Sequence, residues 1–383
     1  MSNERIPLSE PNLAGNTRQY LEECLRTNFV SSVGPFVDRF EREFAAFVGA
    51  RHAVACASGT AALHVAMRLF ALTPDDEVWV ASLTFIASAN PILYERARPV
   101  LVDSEAQTWN ADPELIVDEL DRRARAGRAL PKIIEVVHIL GQPARLDEVA
   151  VACERHGVVL VEDAAEALGA RYLEGRFAGR QVGVAGRVGC YSFNGNKVIT
   201  CGGGGMIVTD DPNLAARAKH LTTQARLPGL AYRHDEVGYN YRLSNLSAAL
   251  GVAQLEQLPS FLEQKRAHAD AYDAAFAGRP GLTLKARPPW ADSSHWLYSL
   301  VVDAEAFGCS RDALIARLNE NGIESRPIWS PLHTMPMYAA APRIGSGAVA
   351  ERLAANALSL PSSVQLTPAQ RARVIDVVLG SSR

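Results

Sequence analysis

Apolar residues fall into two rhythms along this chain: short unbroken runs, and stripes of helical period between them. Behind Gly34-Pro35, residues Phe36, Phe40, Phe44 and Phe47 recur at helical spacing, which predicts an amphipathic helix whose aromatic stripe is core. Upstream, Asn16 is placed to cap a helix to about Thr27, with Tyr20, Leu21, Cys24 and Leu25 on one face. From His52 the pattern settles into alternation. Strands are predicted over 52–56, 77–81, 99–103, 133–139 and 158–161, with helices over 61–72, after Thr84-Phe85 and over 146–156. Runs such as Val158-Val159-Leu160-Val161 do not alternate, so they read as strands buried on both faces. The expectation is an α/β fold with a mostly parallel sheet flanked by helices.

A further apolar run, Met206-Ile207-Val208, precedes a helix over 212–222 and a long helical pattern from Leu243 to about Ala277, which Pro259 should kink or break. Short strand and helix units follow: 297–302, 311–321 and 368–379. The 383 residues exceed one typical domain. They divide in this reading into a large domain over 1–255, N-terminal segment included, and a small α+β domain over 256–383.

Composition mainly excludes. Formal net charge is −3, so no general attraction to nucleic acid or an anionic membrane is expected, and a phosphate must be held locally. The locally basic stretch 122–128 reads as a solvated face. Six cysteines are scattered; Cys153 and His156 have the spacing of two metal ligands, but no second pair answers them. No metal site is expected, and the thiols suggest a reducing compartment. Met-Ser-Asn-Glu-Arg lacks the signature of a secretory leader, and no apolar run approaches the ~20 residues of a membrane span. A cytoplasmic protein is the expectation.

The chemistry concentrates between Val158 and Thr209. Asp163 stands beyond the carboxyl end of a strand, where open α/β sheets bind ligands. Taken alone, Asp163 and Glu166 also read as a capping box, and Lys197 beside the Asn194-Gly195 turn as a solvated lysine. Lys197 is flanked by small polar and then apolar residues, however, and a lysine near a buried site becomes a Schiff-base nucleophile. Ser58-Gly59-Thr60 reads either as a plain helix cap or as an anion site at a helix N-terminus. Walker-type and dinucleotide-binding glycine motifs are absent at strand–helix junctions; Gly183, Gly186 and Gly189 are spaced three apart. His138, in an apolar strand, reads as a satisfied core histidine.

Two segments sharpen this picture: Glu-Asp-Ala-Ala-Glu-Ala-Leu-Gly-Ala (162–170), and Tyr-Ser-Phe-Asn-Gly-Asn-Lys-Val-Ile-Thr (191–200) followed by four glycines. They resemble the DegT/DnrJ/EryC1/StrS sugar aminotransferases, pyridoxal-phosphate enzymes of the aspartate-aminotransferase (type I) fold. The resemblance extends over essentially the whole chain. It implies that Lys197 carries the cofactor and moves the proton, that Asp163 pairs with the pyridine nitrogen and that Phe85 stacks on the ring. Glu166, a position where many relatives carry glutamine, would reach the 3-hydroxyl. Gly59, Thr60 and Ser192 would hold the phosphate. Asn240, in Gly238 to Asn245, would cross a homodimer interface to the neighbour's phosphate. Arg226, Arg326 and His333 match segments bordering the sugar-nucleotide pocket. Leu140 and Cys201 depart from a tyrosine and a threonine common in relatives. Histidine in place of the lysine marks a deoxygenating branch, which Lys197 argues against.

Segments 6–13, 30–34 and 194–197 look closest to enzymes that aminate C4 of UDP-4-keto-6-deoxy-N-acetylhexosamines, on routes to bacillosamine and legionaminic acid. The implied donor is L-glutamate, and the product would feed a surface glycan such as O-antigen. GDP-perosamine synthases and dTDP-ketosugar aminotransferases are the alternatives. A sugar dehydratase or a non-catalytic protein on the same fold stands further off.

Overall fold

The computed structural model describes residues 5–382; four of the five N-terminal residues read for a leader lie outside the described residues. Helices α1 (Thr17–Thr27) and α2 (Pro35–Val48) precede β1 (His52–Cys56) and α3 (Gly59–Leu69). Alternation continues through β2 (Glu77–Ala81), α4 (Asn90–Tyr94), β3 (Arg98–Val102), α5 (Pro113–Arg125), β4 (Ile133–Val137), α6 (Asp147–His156) and β5 (Val159–Asp163). After a two-residue β6 (Arg171–Tyr172) come β7 (Val188–Ser192), β8 (Gly205–Thr209), α7 (Pro212–Thr222), α8 (Asn245–Leu255) and α9 (Leu258–Phe276). The remainder holds β9 (Leu282–Leu284), β10 (Ala291–Asp292), β11 (Tyr298–Val302), α10 (Ala304–Phe307), α11 (Arg311–Glu320) and β12 (Arg326–Pro327). It ends with β13 (Arg343–Ile344), α12 (Ala348–Asn356), β14 (Ala357–Leu360) and α13 (Pro368–Leu379).

Eight strands form one sheet in the order β1-β8-β7-β5-β4-β2-β3-β13, parallel except where β8 runs against β1 and β7. Strands β4 and β8 are buried at every position; β8 reads as the apolar run Met206-Ile207-Val208, while β4 carries Glu135 amid its apolar residues. Four strands, β12-β14-β11-β9, form a separate antiparallel sheet. Around it Tyr272, Phe276, Leu300, Leu358 and Val374 pack into a second apolar cluster, and Ile6 from the start of the chain seats among them. In return β13 closes the far edge of the large sheet beside β3. Among the described residues no helix is long and apolar enough to cross a membrane.

Several local expectations need correction. Asn16 occupies the cap position of α1 but makes no capping bond; its amide reaches Glu256 at 2.8 Å instead. Leu25, expected on the buried face, is exposed. The basic stretch 122–128 is not wholly a solvated face. Arg123 is buried over the Trp79 ring, 5.1 Å from its centroid, and its guanidinium bridges Glu77 (2.5 Å) and Glu119 (2.8 Å). Pro259 acts as expected: the helical run breaks at Glu256-Gln257, and the proline takes a place in the first turn of α9, where a missing N–H costs nothing.

Candidate active site

The carboxyl ends of β5 and β7, the N-terminus of α3 and the turns after β7 enclose a cavity of about 280 Å³. It brings together Gly59, Thr60, Phe85, Asp163, Glu166, Ser192 and Lys197, and adds Ser58, Ser88, Asn194 and the glycine turn at 203–204.

No helix begins at Asp163, so the capping-box alternative falls. The side chain is buried where β5 ends. Its Oδ2 accepts from Ser88 Oγ (2.7 Å) and its Oδ1 from the Ala165 amide (3.0 Å). Ser88 is fixed in turn by Thr84 Oγ1 at 2.9 Å. The carboxylate is therefore aimed by two donors and faces the cavity.

At the head of α3, Ser58 uses its hydroxyl for the Ala61 amide (3.0 Å) and its carbonyl for the Ala62 amide (3.0 Å). Of the first-turn amides, those of Gly59 and Thr60 are left for a ligand, and the helix dipole favours an anion there. A Cβ on Gly59 would come within 2.7 Å of Ser192 Cβ, so only glycine keeps this wall open. The plain-cap reading thus holds for the Ala61 and Ala62 amides and leaves room for the anion-site reading on the other two.

Lys197 is not a solvated turn lysine. Its side chain is 12% exposed, with Nζ 3.7 Å from Glu166 Oε1 and 4.1 Å from the centroid of Trp296. Glu166 Oε2 accepts from the Leu140 amide at 2.7 Å, and Leu140 holds a left-handed φ of 56° to present it. Burial pushes the Glu166 carboxyl up to about 7, against the opposing pull of the Lys197 ammonium. The unfolded chain loses this proton near the ordinary glutamate value, so the contribution of Glu166 to stability is present at low pH and is lost as pH rises to about 7. Glu166→Gln keeps an acceptor for Leu140 and removes the titration. The cofactor-free variant should gain stability relative to the parent between pH 5 and 8, by roughly 2–3 kcal/mol in urea unfolding. A difference that is flat with pH would contradict this.

Just below the cavity, Glu162 is fully buried. Its oxygens accept from the amides of Gly183 (2.7 Å), Ala185 (2.7 Å) and Gly186 (2.6 Å), and from His138 Nε2 at 3.0 Å. Burial alone would push this carboxyl up; His138 and the amides hold it below the usual range. His138 is the satisfied core histidine expected, and Gly183, Ala185 and Gly186, two of the evenly spaced glycines among them, make a carboxylate nest that anchors β5. Gly189 must be glycine because a Cβ there would overlap the Gly183 carbonyl.

The remaining expected residues stand outside this cavity. Asn240 is exposed, bridged by backbone to Thr223. Arg226 is exposed with its guanidinium 4.3 Å from the Tyr232 centroid, and Arg326 pairs with Glu324 at 2.9 Å. His333 has both ring nitrogens engaged, by Ser82 Oγ (2.6 Å) and Glu351 (2.9 Å). Sequence reasoning missed Ser88 and Trp296; neither carries a local signal that separates it from an ordinary turn serine or core tryptophan.

An open anion cradle, a buried carboxylate across the cavity, an amine between them and the half-exposed Phe85 at the rim fit pyridoxal phosphate. Fold and site together define a type I pyridoxal-phosphate-dependent enzyme. The chain belongs to the DegT/DnrJ/EryC1/StrS aminotransferase family, whose model matches residues 11–379. It is 41% identical to EpsN of Bacillus subtilis (strain 168) over 98% of this chain and 95% of that protein, whose assignment as a pyridoxal phosphate-dependent aminotransferase is itself provisional. It is 39% identical to the GDP-perosamine synthase of Caulobacter vibrioides, covering 97% of this chain and 96% of that one. Among solved structures, DesV of S. venezuelae in complex with a ketimine intermediate superposes with a TM-score of 0.88 at 34% identity, covering 99% of both chains. The protein is a pyridoxal-phosphate-dependent nucleotide-sugar aminotransferase.

Proposed function

We propose that the enzyme transfers the amino group of L-glutamate to C4 of a nucleotide-linked 4-keto-6-deoxy sugar, for a surface glycan. The observation that carries the residue roles is the convergence of Lys197, Asp163 and the α3 N-terminus on one cavity. When bound, pyridoxal phosphate supplies an electron sink for the carbanion formed at the donor's α-carbon. Asp163, aimed by Ser88 and the Ala165 amide, keeps the pyridine nitrogen protonated. The amides of Gly59 and Thr60, with the hydroxyls of Thr60 and Ser192, would hold the phosphate, and Phe85 would supply an aromatic face for the ring. Lys197 Nζ would hold the cofactor covalently and, freed when the donor replaces it there, would be the amine placed to take the donor's α-proton. Glu166 holds the Lys197 side chain from the far side.

Leu230, Tyr232 and Val237 stand exposed beside Asn240 and Arg226, an apolar segment suited to a second copy of the chain. In that homodimer Asn240 would serve the neighbour's phosphate, and Arg226, Arg326 and His333 would border the nucleotide. The cysteines are all free, which fits a reducing cytoplasm.

The UDP-linked N-acetylated ketosugar is the first reading of the substrate. A GDP-linked ketosugar is the second, favoured by the 39% identity to a GDP-perosamine synthase. With 15N-glutamate and each ketosugar supplied separately, the first reading expects label in the UDP sugar, with kcat/KM at least about 10-fold above the GDP sugar. The opposite ratio selects the second reading. Absence of label from UDP, GDP and dTDP ketosugars alike removes the substrate assignment.

A further inference from the structure

Lys197 rests on an aromatic surface that holding the cofactor does not require. Its ammonium is bracketed by the Trp296 ring, 4.1 Å away, and by Glu166 Oε1, 3.7 Å away. Trp296 is 3% exposed and fixed on three sides. Its indole Nε1 donates to the carbonyl of Asn196, the residue before the lysine, at 2.6 Å. Its own carbonyl accepts from Lys265 Nζ at 3.1 Å. Its ring stacks on Trp329, with centroids 6.2 Å apart and planes 15° apart. Trp329 leans in turn on Phe85 at 6.2 Å, so an aromatic wall runs from the lysine to the rim of the cavity. Because the indole N–H is tied to the backbone just before Lys197, ring and lysine keep one register. Lys265 is a buried ammonium whose hydrogen bonds are to two carbonyls, Trp296 and Ser362, and burial pushes it down to about 7. A group that expensive to bury is spent on fixing Trp296 in place.

We propose that Trp296 is a positioning residue for transamination: its indole face receives the Lys197 side chain as an ammonium between the two proton transfers. The inference rests on the reading of Lys197 as the catalytic amine. As the donor's α C–H bond breaks, its electron pair passes to the cofactor and its proton forms a new N–H bond on Nζ. Positive charge appears on Nζ at that moment. The π face attracts that charge without having to reorganise, because it is already in position. Glu166 shares the charge incompletely, since burial keeps part of its population neutral near pH 7. The charged groups acting on this pair are Asp163 and Lys285, both beside Glu166; Lys265 holds the Trp296 carbonyl, and burial pushes neighbouring His295 well down, so it stays neutral. Burial pushes Lys285 down to about 7, so the fraction of it that stays charged repels a further cation, which the ring offsets. The bond to Asn196 also keeps Nζ over the cavity.

The test uses the holoenzyme with Trp296 replaced site-specifically by fluorotryptophans of increasing fluorine content, which keep shape and N–H but drain the π face. Across the series, kcat and the rate of the glutamate half-reaction should fall stepwise by roughly 10-fold. KM for glutamate should stay constant, and the isotope effect with α-deuterated glutamate should grow. Trp296→Phe should keep more activity than Trp296→Leu. Rates indifferent to fluorine would overturn the inference and leave Trp296 as packing, whatever Trp296→Leu does to folding. The two failures are separable: if Lys197→Ala still turns over, the lysine reading falls and this inference with it. If Lys197→Ala is dead and the fluorine series is flat, only the role of Trp296 falls.

Discussion

Lys197→Ala should lower turnover by at least about 10⁴-fold and remove the visible band of lysine-bound cofactor, with little change in thermal stability. The size of the loss follows from two roles in one side chain. Among the described residues the cavity lining holds no other lysine, so without Nζ it lacks both a covalent anchor and an amine to carry the proton. Stability should hardly move because the loss removes one cation–π contact with Trp296 and one 3.7 Å ion pair with Glu166. Lys197→Arg should not rescue, since a guanidinium does not deprotonate near neutrality. Steady-state assay, absorbance and a melting curve on the same preparations check all three statements. Turnover within 10-fold of the parent would remove Lys197 from the chemistry.

Asp163→Asn should lower kcat by about 10³-fold while the protein still takes up cofactor. Asparagine fills the same volume and leaves partners for Ser88 and the Ala165 amide, so the cavity keeps its shape and loses only its charge. The neighbouring carboxyl cannot replace it. Glu135 lies on β4, in register with Val161 and thus two pairs below Asp163, fully buried with neither oxygen hydrogen-bonded. Burial, and then the charge of Asp163, push its carboxyl well above the usual range, so it offers no anion to the pyridine nitrogen. Single-turnover rates with glutamate separate this loss of chemistry from a loss of cofactor. A kcat within a few-fold of the parent, with cofactor bound, would contradict the assigned ion pair.

Most of the large sheet was legible because its signal is local. Unbroken apolar runs mark β2, β3 and β5, apolar residues on both sides of Glu135 mark β4, and the phenylalanine stripe marks α2. Strand β7 was not legible: Val-Gly-Cys-Tyr-Ser has no unbroken run, because Gly189 answers the close approach of the Gly183 carbonyl rather than strand propensity. Nor were β13 and β14, short strands defined by partners far away in the chain. The burial of Arg123 depends on Glu77, and that of Trp296 on Lys265 and Asn196, contacts that no local window contains. In the site, the residues readable from the chain were those at element ends: Gly59 and Thr60 heading a helix, Asp163 and Ser192 closing strands. Ser88 and Trp296 act through tertiary contacts. Arg226, Arg326 and Asn240 lie exposed outside the cavity, so the roles proposed for them rest on no local pattern in the chain.

The most direct measurement is the absorbance spectrum of the purified enzyme loaded with pyridoxal phosphate, recorded before and after L-glutamate and again after the nucleotide ketosugar. The visible band should bleach with glutamate and return with the ketosugar, cycle after cycle, and Lys197→Ala should show neither change. A protein that forms no band with cofactor supplied, or whose band ignores glutamate, would contradict an aminotransferase centred on Lys197.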